Sequence, residues 1–141
     1  MRTKLFALIA GIGLLLLVAS PAAAHHAFAA EFDASKPVKF RGTVTKMEWI
    51  NPHAWIHIDV KGDDGKVTSW MIETAAPNAL LRRGWTKNSL LIGTEIVVEG
   101  YQAKNGTNRA NGNIVTFTDG KKLFVGSSAG EPGAAPGAPK P

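Results

Sequence analysis

Histidines are the side chains best placed for chemistry in this chain of 141 residues, and three of the four are marked out by position. His25 and His26 follow the small-residue run Ala19-Ser20-Pro21-Ala22-Ala23-Ala24, and His53 ends the segment Asn51-Pro52-His53. A cut after Ala24 gives His25 a free α-amine beside its own imidazole, and these two groups chelate one ion from a single residue. A second imidazole, from His53 or His57, completes an all-nitrogen T-shaped or tetragonal set of the kind that suits copper(II). A cut after Ala23 instead places His26 third from the amine, where the amine, two backbone nitrogens and the imidazole form a square-planar copper or nickel site. Zinc fits less well, because the chain has no cysteine and no helical His-x-x-x-His pair. The candidate metal ligands are therefore His25, His26 and His53. The competing reading is plain: N-termini fray, and an amine with a histidine binds copper weakly in any peptide.

The segment Trp49-Ile50-Asn51-Pro52-His53-Ala54-Trp55 is the second candidate. Pro52 fixes its own φ and favours an extended Asn51, so Asn51-Pro52 reads as a bend feeding a strand that His53 begins. In that strand His53, Trp55 and His57 point one way, opposite Ile56 and Ile58. His53 and His57 would then stand roughly 13 Å apart, so one ion takes only one of them, and His53 beside the bend is the choice. Without a metal, Trp49, Asn51 and Trp55 are the candidate ligand-binding residues, with Tyr101 as a further one. The structural alternative has His53 hydrogen-bonding a nearby carbonyl to hold the bend while Trp49 and Trp55 cover a small secondary core.

Several elements must position these groups. Met1-Arg2-Thr3-Lys4 is a basic start, and the apolar run Leu5 to Val18 is short for a membrane span of about 20 residues. With the small residues that follow, residues 1–24 read as a cleaved signal peptide, implying a periplasmic protein without a transmembrane span after cleavage. Its removal takes away Arg2 and Lys4 and lowers the formal charge from +5 to +3. Residues 127–141 (SSAGEPGAAPGAPKP) have no apolar periodicity and read as a disordered tail. The domain is then residues 25–126.

Within it the pattern is mostly of period two. Val38 to Trp49, with Gly42 as an expected bulge or bend, reads as the first strand, and Ala54 to Val60 as the second. Gly62-Asp63-Asp64-Gly65 turns the chain into a third strand, Lys66 to Glu73. Pro77-Asn78 offers an N-cap, Ala79 to Arg83 a helix and Gly84 its stop, with Leu80, Leu81 and Trp85 as the apolar plug and Arg82-Arg83 facing water. Thr94 to Tyr101 and Ala110 to Thr118 read as strands four and five, and Asp119-Gly120 leads to a final segment, Lys122 to Val125. The expected fold is mainly β: a small OB-fold-like five-stranded barrel with one short helix between strands three and four. A β-sandwich is the runner-up.

Zero cysteines exclude a disulfide scaffold, an iron-sulfur cluster, covalent haem attachment and a thiol nucleophile. Asp63-Asp64 and Asp119 sit in glycine-containing turns as turn formers, and Glu73, Glu95 and Glu99 are too dispersed to pair as an acid/base couple. No Ser-His-Asp constellation or phosphate loop is visible, so no catalytic residue is assigned.

The start His25-His26-Ala27-Phe28, the strand Gly42-Thr43-Val44, the Trp49 to Trp55 segment, the helix Pro77-Asn78-Ala79-Leu80-Leu81-Arg82-Arg83-Gly84-Trp85 and Val98-Glu99-Gly100-Tyr101 together resemble an exported bacterial family, domain-of-unknown-function family 6152. The resemblance spans nearly the whole mature domain. It implies a small periplasmic domain of uncharacterised function in which His-His-x-Phe and Asn-Pro-His are characteristic, which adds weight to His25, His26 and His53.

Three expectations follow. The first is a periplasmic copper(II)-binding protein. The second is a metal-free module whose aromatic barrel face holds a small molecule or a periplasmic protein partner. The third is a copper oxidase or monooxygenase, disfavoured by the small domain and its single tyrosine. Nucleic acid is disfavoured by export and modest charge.

Overall fold

The structure, a computed structural model, describes residues 28–126. The expected signal peptide, His25, His26 and the tail 127–141 lie outside the described residues.

A single helical turn at residues 28–31 leads into β1 (Phe32–Glu48). There follow β2 (Trp55–Lys61), β3 (Val67–Glu73), a short helix (Pro77–Arg82), β4 (Glu95–Ala103), β5 (Arg109–Phe117) and β6 (Lys122–Phe124). The strands form one sheet in the order β3-β2-β1-β4-β5-β6, with every neighbouring pair antiparallel. A parallel pairing of Met71, Ile72 and Glu73 with Arg109, Ala110 and Asn111 joins β3 to β5 and closes a ring of five strands. β6 pairs with the later half of β5, from Ile114 to Thr116.

The interior follows from the period of two. In β2 and the residue before it, Ala54, Ile56 and Ile58 are buried, while Trp55, His57 and Asp59 are only partly covered on the other face. Val44, Ile72, Ile96, Val98 and Val115 from the other strands meet them inside the ring. The helix delivers Leu80 to this core, and Trp85 follows it in, its indole Nε1 donating to the Phe124 carbonyl at 3.1 Å. Among the described residues no helix is long and apolar enough to cross a membrane.

The structure corrects five local expectations, one being that Arg83 faces water: its Nη1 donates to the Gly126 carbonyl at 2.6 Å and its guanidinium lies over the Phe124 ring. β1 begins at Phe32, not Val38, because Phe32 pairs with Ala103 and the exposed residues 34–36 loop out before pairing resumes at Pro37. The irregularity of β1 against β2 falls between Val44 and Lys46 and not at Gly42. Gly42 instead marks a close approach, since a Cβ there would lie 2.9 Å from the Asp59 carbonyl oxygen. Pro77 occupies the first helical turn after an Ala76 N-cap that makes no side-chain bond, so Asn78 does not cap the helix. Leu81 is 55% exposed, because a six-residue helix turns one narrow face inward and Leu80 takes it. Gly84 acts as the expected stop, with a φ of +83° just beyond the C-cap Arg83.

Candidate functional site

The candidate site lies on the outer side of β2 and β3, where the ring closes onto β5. His53 stands in the bend before β2, next to Ala54, whose backbone is bonded on both sides. Its N–H donates to the Ala75 carbonyl at 3.2 Å, and its carbonyl accepts from the N–H and hydroxyl of Thr74, each at 2.9 Å. The residue beside the imidazole is thereby fixed to the end of β3. The Asn51-Pro52 peptide bond preceding His53 is cis.

Glu73 closes β3 as the register partner of Trp55 on β2 and of Asn111 on β5. Its side chain reaches the outer face, yet the residue is only 8% exposed. Nδ1 of His53 lies 3.0 Å from its Oε1, and Nη2 of Arg109 lies 3.9 Å from its Oε2. The same Nη2 is 3.1 Å from Oε2 of Glu31, and the Arg109 guanidinium lies over the Trp55 indole. Burial pushes the Glu73 carboxyl above the ordinary carboxylate range; His53 and Arg109 oppose the rise, and Glu31 adds to it.

Glu31 brings the start of the described chain to this cluster. The backbone N–H of Lys104 donates to the Glu31 carbonyl at 2.9 Å, and Lys104 Nζ donates to the Ala29 carbonyl at 2.6 Å. The Phe28 ring meets Tyr101 edge-on at 5.7 Å between centroids and Phe32 at 5.8 Å. Aromatic packing and two hydrogen bonds thus dock the turn at residues 28–31 on the end of β4.

The residues singled out in the sequence are distributed unevenly. His53 and Trp55 belong to the cluster. Trp49 packs against the main core, Asn51 is exposed in the bend, and Tyr101 faces Phe28. His57 turns away from His53 toward β1, its Nε2 3.5 Å from Oε1 of Glu48, which also pairs with Lys46. That ammonium, foremost, holds the Glu48 carboxyl below its ordinary range. The partner of His53 is a carboxylate, not the carbonyl of the structural alternative. His25 and His26 lie outside the described residues, and among those described no group of three or more His, Cys, Asp and Glu residues is arranged to hold a metal.

Glu73, Arg109 and Glu31 are the members that sequence reasoning missed. Strand parity places Glu73 opposite to Ile72 and so on the outer face, which the alternation of β3 already carries. Nothing local announces Arg109, whose position depends on the parallel β3–β5 pairing.

An imidazole in its neutral form has one nitrogen with a free lone pair. The arrangement can therefore present one neutral nitrogen donor beside a docked chain start. A family model described as a family of unknown function matches residues 13–112. No curated protein and no solved structure matches the chain.

Proposed function

The chain belongs to the family of unknown function DUF6152, and from that premise we propose that it is an exported periplasmic binding protein that holds copper(II) through His25, His26 and His53. The observation that carries this reading is the run of contacts Glu31–Arg109–Glu73–His53, which links the turn just after the two N-terminal histidines to the third. Amine and imidazole donors form a nitrogen set that suits copper(II).

In the same reading the ring is an OB-type barrel. Its support is the strand circuit β1-β2-β3-β5-β4, the parallel β3–β5 closure and the helix between β3 and β4.

Calorimetric copper(II) titration of the exported, processed chain tests the proposal, with its N-terminus confirmed by mass spectrometry and a His53→Ala variant alongside. The expected result is one-to-one sub-micromolar binding that weakens at least tenfold in the variant, about 1.4 kcal/mol. Binding unchanged by the variant, or no tighter than that of a His-His peptide, overturns it.

A second reading, a metal-free module for a small molecule or partner, draws on a different place. A groove of about 380 Å³ runs along Pro37, Val38, Lys39, Glu99, Tyr101 and Asn113. Oδ1 of Asn113 is buried without a hydrogen-bond partner among the described residues. That reading predicts ligand binding that survives removal of His25 and His26.

A further inference from the structure

We propose that the turn at Leu91-Ile92-Gly93, in the connection from the helix to β4, is a docking point for an anionic lipid bilayer. This docking point uses none of the residues of the proposed copper site. Leu91 is 66% and Ile92 77% exposed, the two highest values among the large hydrophobic side chains of the described residues. Aliphatic side chains scattered singly over a surface need no explanation. Two adjacent ones at the corner of a turn do, because turns favour glycine, proline and short polar residues. Elsewhere the chain obeys that preference: Gly65, Gly106 and Gly120, all with positive φ, follow Asp64, Asn105 and Asp119, whereas Gly93, with a φ of +88°, follows Ile92.

The exposure is enforced from both sides. Upstream, Leu90 is buried in the core. Downstream, the Thr94 N–H donates to the Leu91 carbonyl at 3.1 Å and the Gly93 N–H to the Val44 carbonyl of β1 at 2.8 Å, while the Val44 N–H donates to the Thr94 carbonyl at 2.9 Å. The two side chains can turn inward only by breaking these bonds to β1. Their surroundings favour negative headgroups, since residues 74–94 hold Arg82, Arg83 and Lys87 and no aspartate or glutamate. Arg83 is engaged by the Gly126 carbonyl and the Phe124 ring, but Arg82 and Lys87 are exposed and have no carboxylate partner among the described residues. Glu95, the acid that borders the turn, is already paired with Arg41 at 2.7 Å. A bilayer suits such a tip better than a protein does. A stable protein interface takes roughly 800 Å² from each partner, far more than two side chains on a turn corner supply, whereas the acyl boundary accepts aliphatic side chains without shape complementarity. So few apolar groups and cations give a weak, reversible attachment that salt loosens.

The test is lipid titration of the exported, processed chain, read by flotation, with vesicles of phosphatidylglycerol and phosphatidylcholine in equal parts and with phosphatidylcholine alone. The native chain is expected to float with the anionic vesicles at low salt, to come off as salt is added, and to bind the neutral vesicles more weakly. The double variant Leu91→Asn, Ile92→Asn is expected to weaken the partition at least about tenfold. Lys87→Gln is expected to weaken it about fivefold. A native chain that binds neither kind of vesicle, equal binding to both kinds, or a double variant that partitions as the native chain does overturns the proposal. Ile92→Trp covers the case in which the double variant does not fold. On anionic vesicles its emission is expected to be quenched by lipids brominated in the acyl chains more than the native emission is, and equal quenching overturns the proposal. Light scattering without lipid supplies the last arm: a native chain that self-associates and ignores vesicles, beside a double variant that stays monomeric, gives the tip to a contact between copies and overturns the proposal.

Discussion

The guanidinium carbon of Arg109 sits 5.0 Å from the ring centroid of Trp55, although the two residues belong to strands that are not neighbours in the sheet. β3 lies between them and supplies Glu73, so one cation answers an indole face and two carboxylates. A cation over an aromatic face contributes about 0.5–1 kcal/mol when exposed and roughly 2 when desolvated. Arg109→Gln should therefore lower the unfolding free energy by about 1–2 kcal/mol. Urea unfolding followed by tryptophan fluorescence reads this directly. A change below about 0.5 kcal/mol, the usual effect of a surface substitution, would show that the stacking and ion pairs contribute nothing net.

Adjacent leucines of the helix make a sharper comparison. Leu80 is fully buried under the ring and Leu81 is 55% exposed. Leu80→Ala should cost about 2–5 kcal/mol, the usual range for truncating a buried leucine. Leu81→Ala should stay within about 0.5 kcal/mol. Equal effects in paired urea melts would contradict the placement of this helix.

Much of the ring is legible in the order of the residues alone. The Ile56 and Ile58 alternation announces which face of β2 goes inward, and Gly65, Gly84 and Gly120 mark the turns and the helix end where φ is positive. Leu81 shows where such reading runs out, since composition favours a helix there but does not tell which of two neighbouring leucines a six-residue helix buries. The same limit hides Phe32, whose pairing with Ala103 lies beyond a looped stretch with no period of two. In the candidate site, His53 and Trp55 are visible because their chemistry is local to one bend. Arg109 and Glu31 are not, because only the parallel contact of β3 with β5 and the docking of residues 28–31 bring them to Glu73.

The pair Lys39–Glu99 joins β1 to β4 across the outer face, with Nζ 2.8 Å from Oε1. The hydrogen bond from Lys39 holds the Glu99 carboxyl below its ordinary value of 4.5. A carboxyl whose folded value is depressed adds stability above the unfolded value and loses it as the pH falls through the folded one. The native chain should thus exceed Glu99→Gln in urea midpoint at neutral pH, the gap closing in acid below 4.5. Lys39 is exposed and Glu99 partly so, and added salt should narrow the gap at neutral pH. A gap that is constant from neutral to strongly acidic pH would rule out an ionic origin.

Phe28 follows the two N-terminal histidines by two residues and carries no donor atom of its own. Its ring lies edge-on to Tyr101 and tilted to Phe32, while Lys104 bonds the carbonyls of Ala29 and Glu31 behind it. If the proposed copper site joins the chain start to His53, this docking keeps the histidines at a high effective concentration near the third ligand. An aromatic pair of this kind is worth roughly 0.5–1.5 kcal/mol. Phe28→Ala should therefore weaken copper(II) binding by about two- to tenfold, and proteolysis should cut more readily just after Glu31. Tyr101→Ala should reproduce both effects, because it removes the other half of the contact. Copper affinity that ignores both substitutions while cleavage accelerates would show that the docked turn is not what brings the histidines to His53.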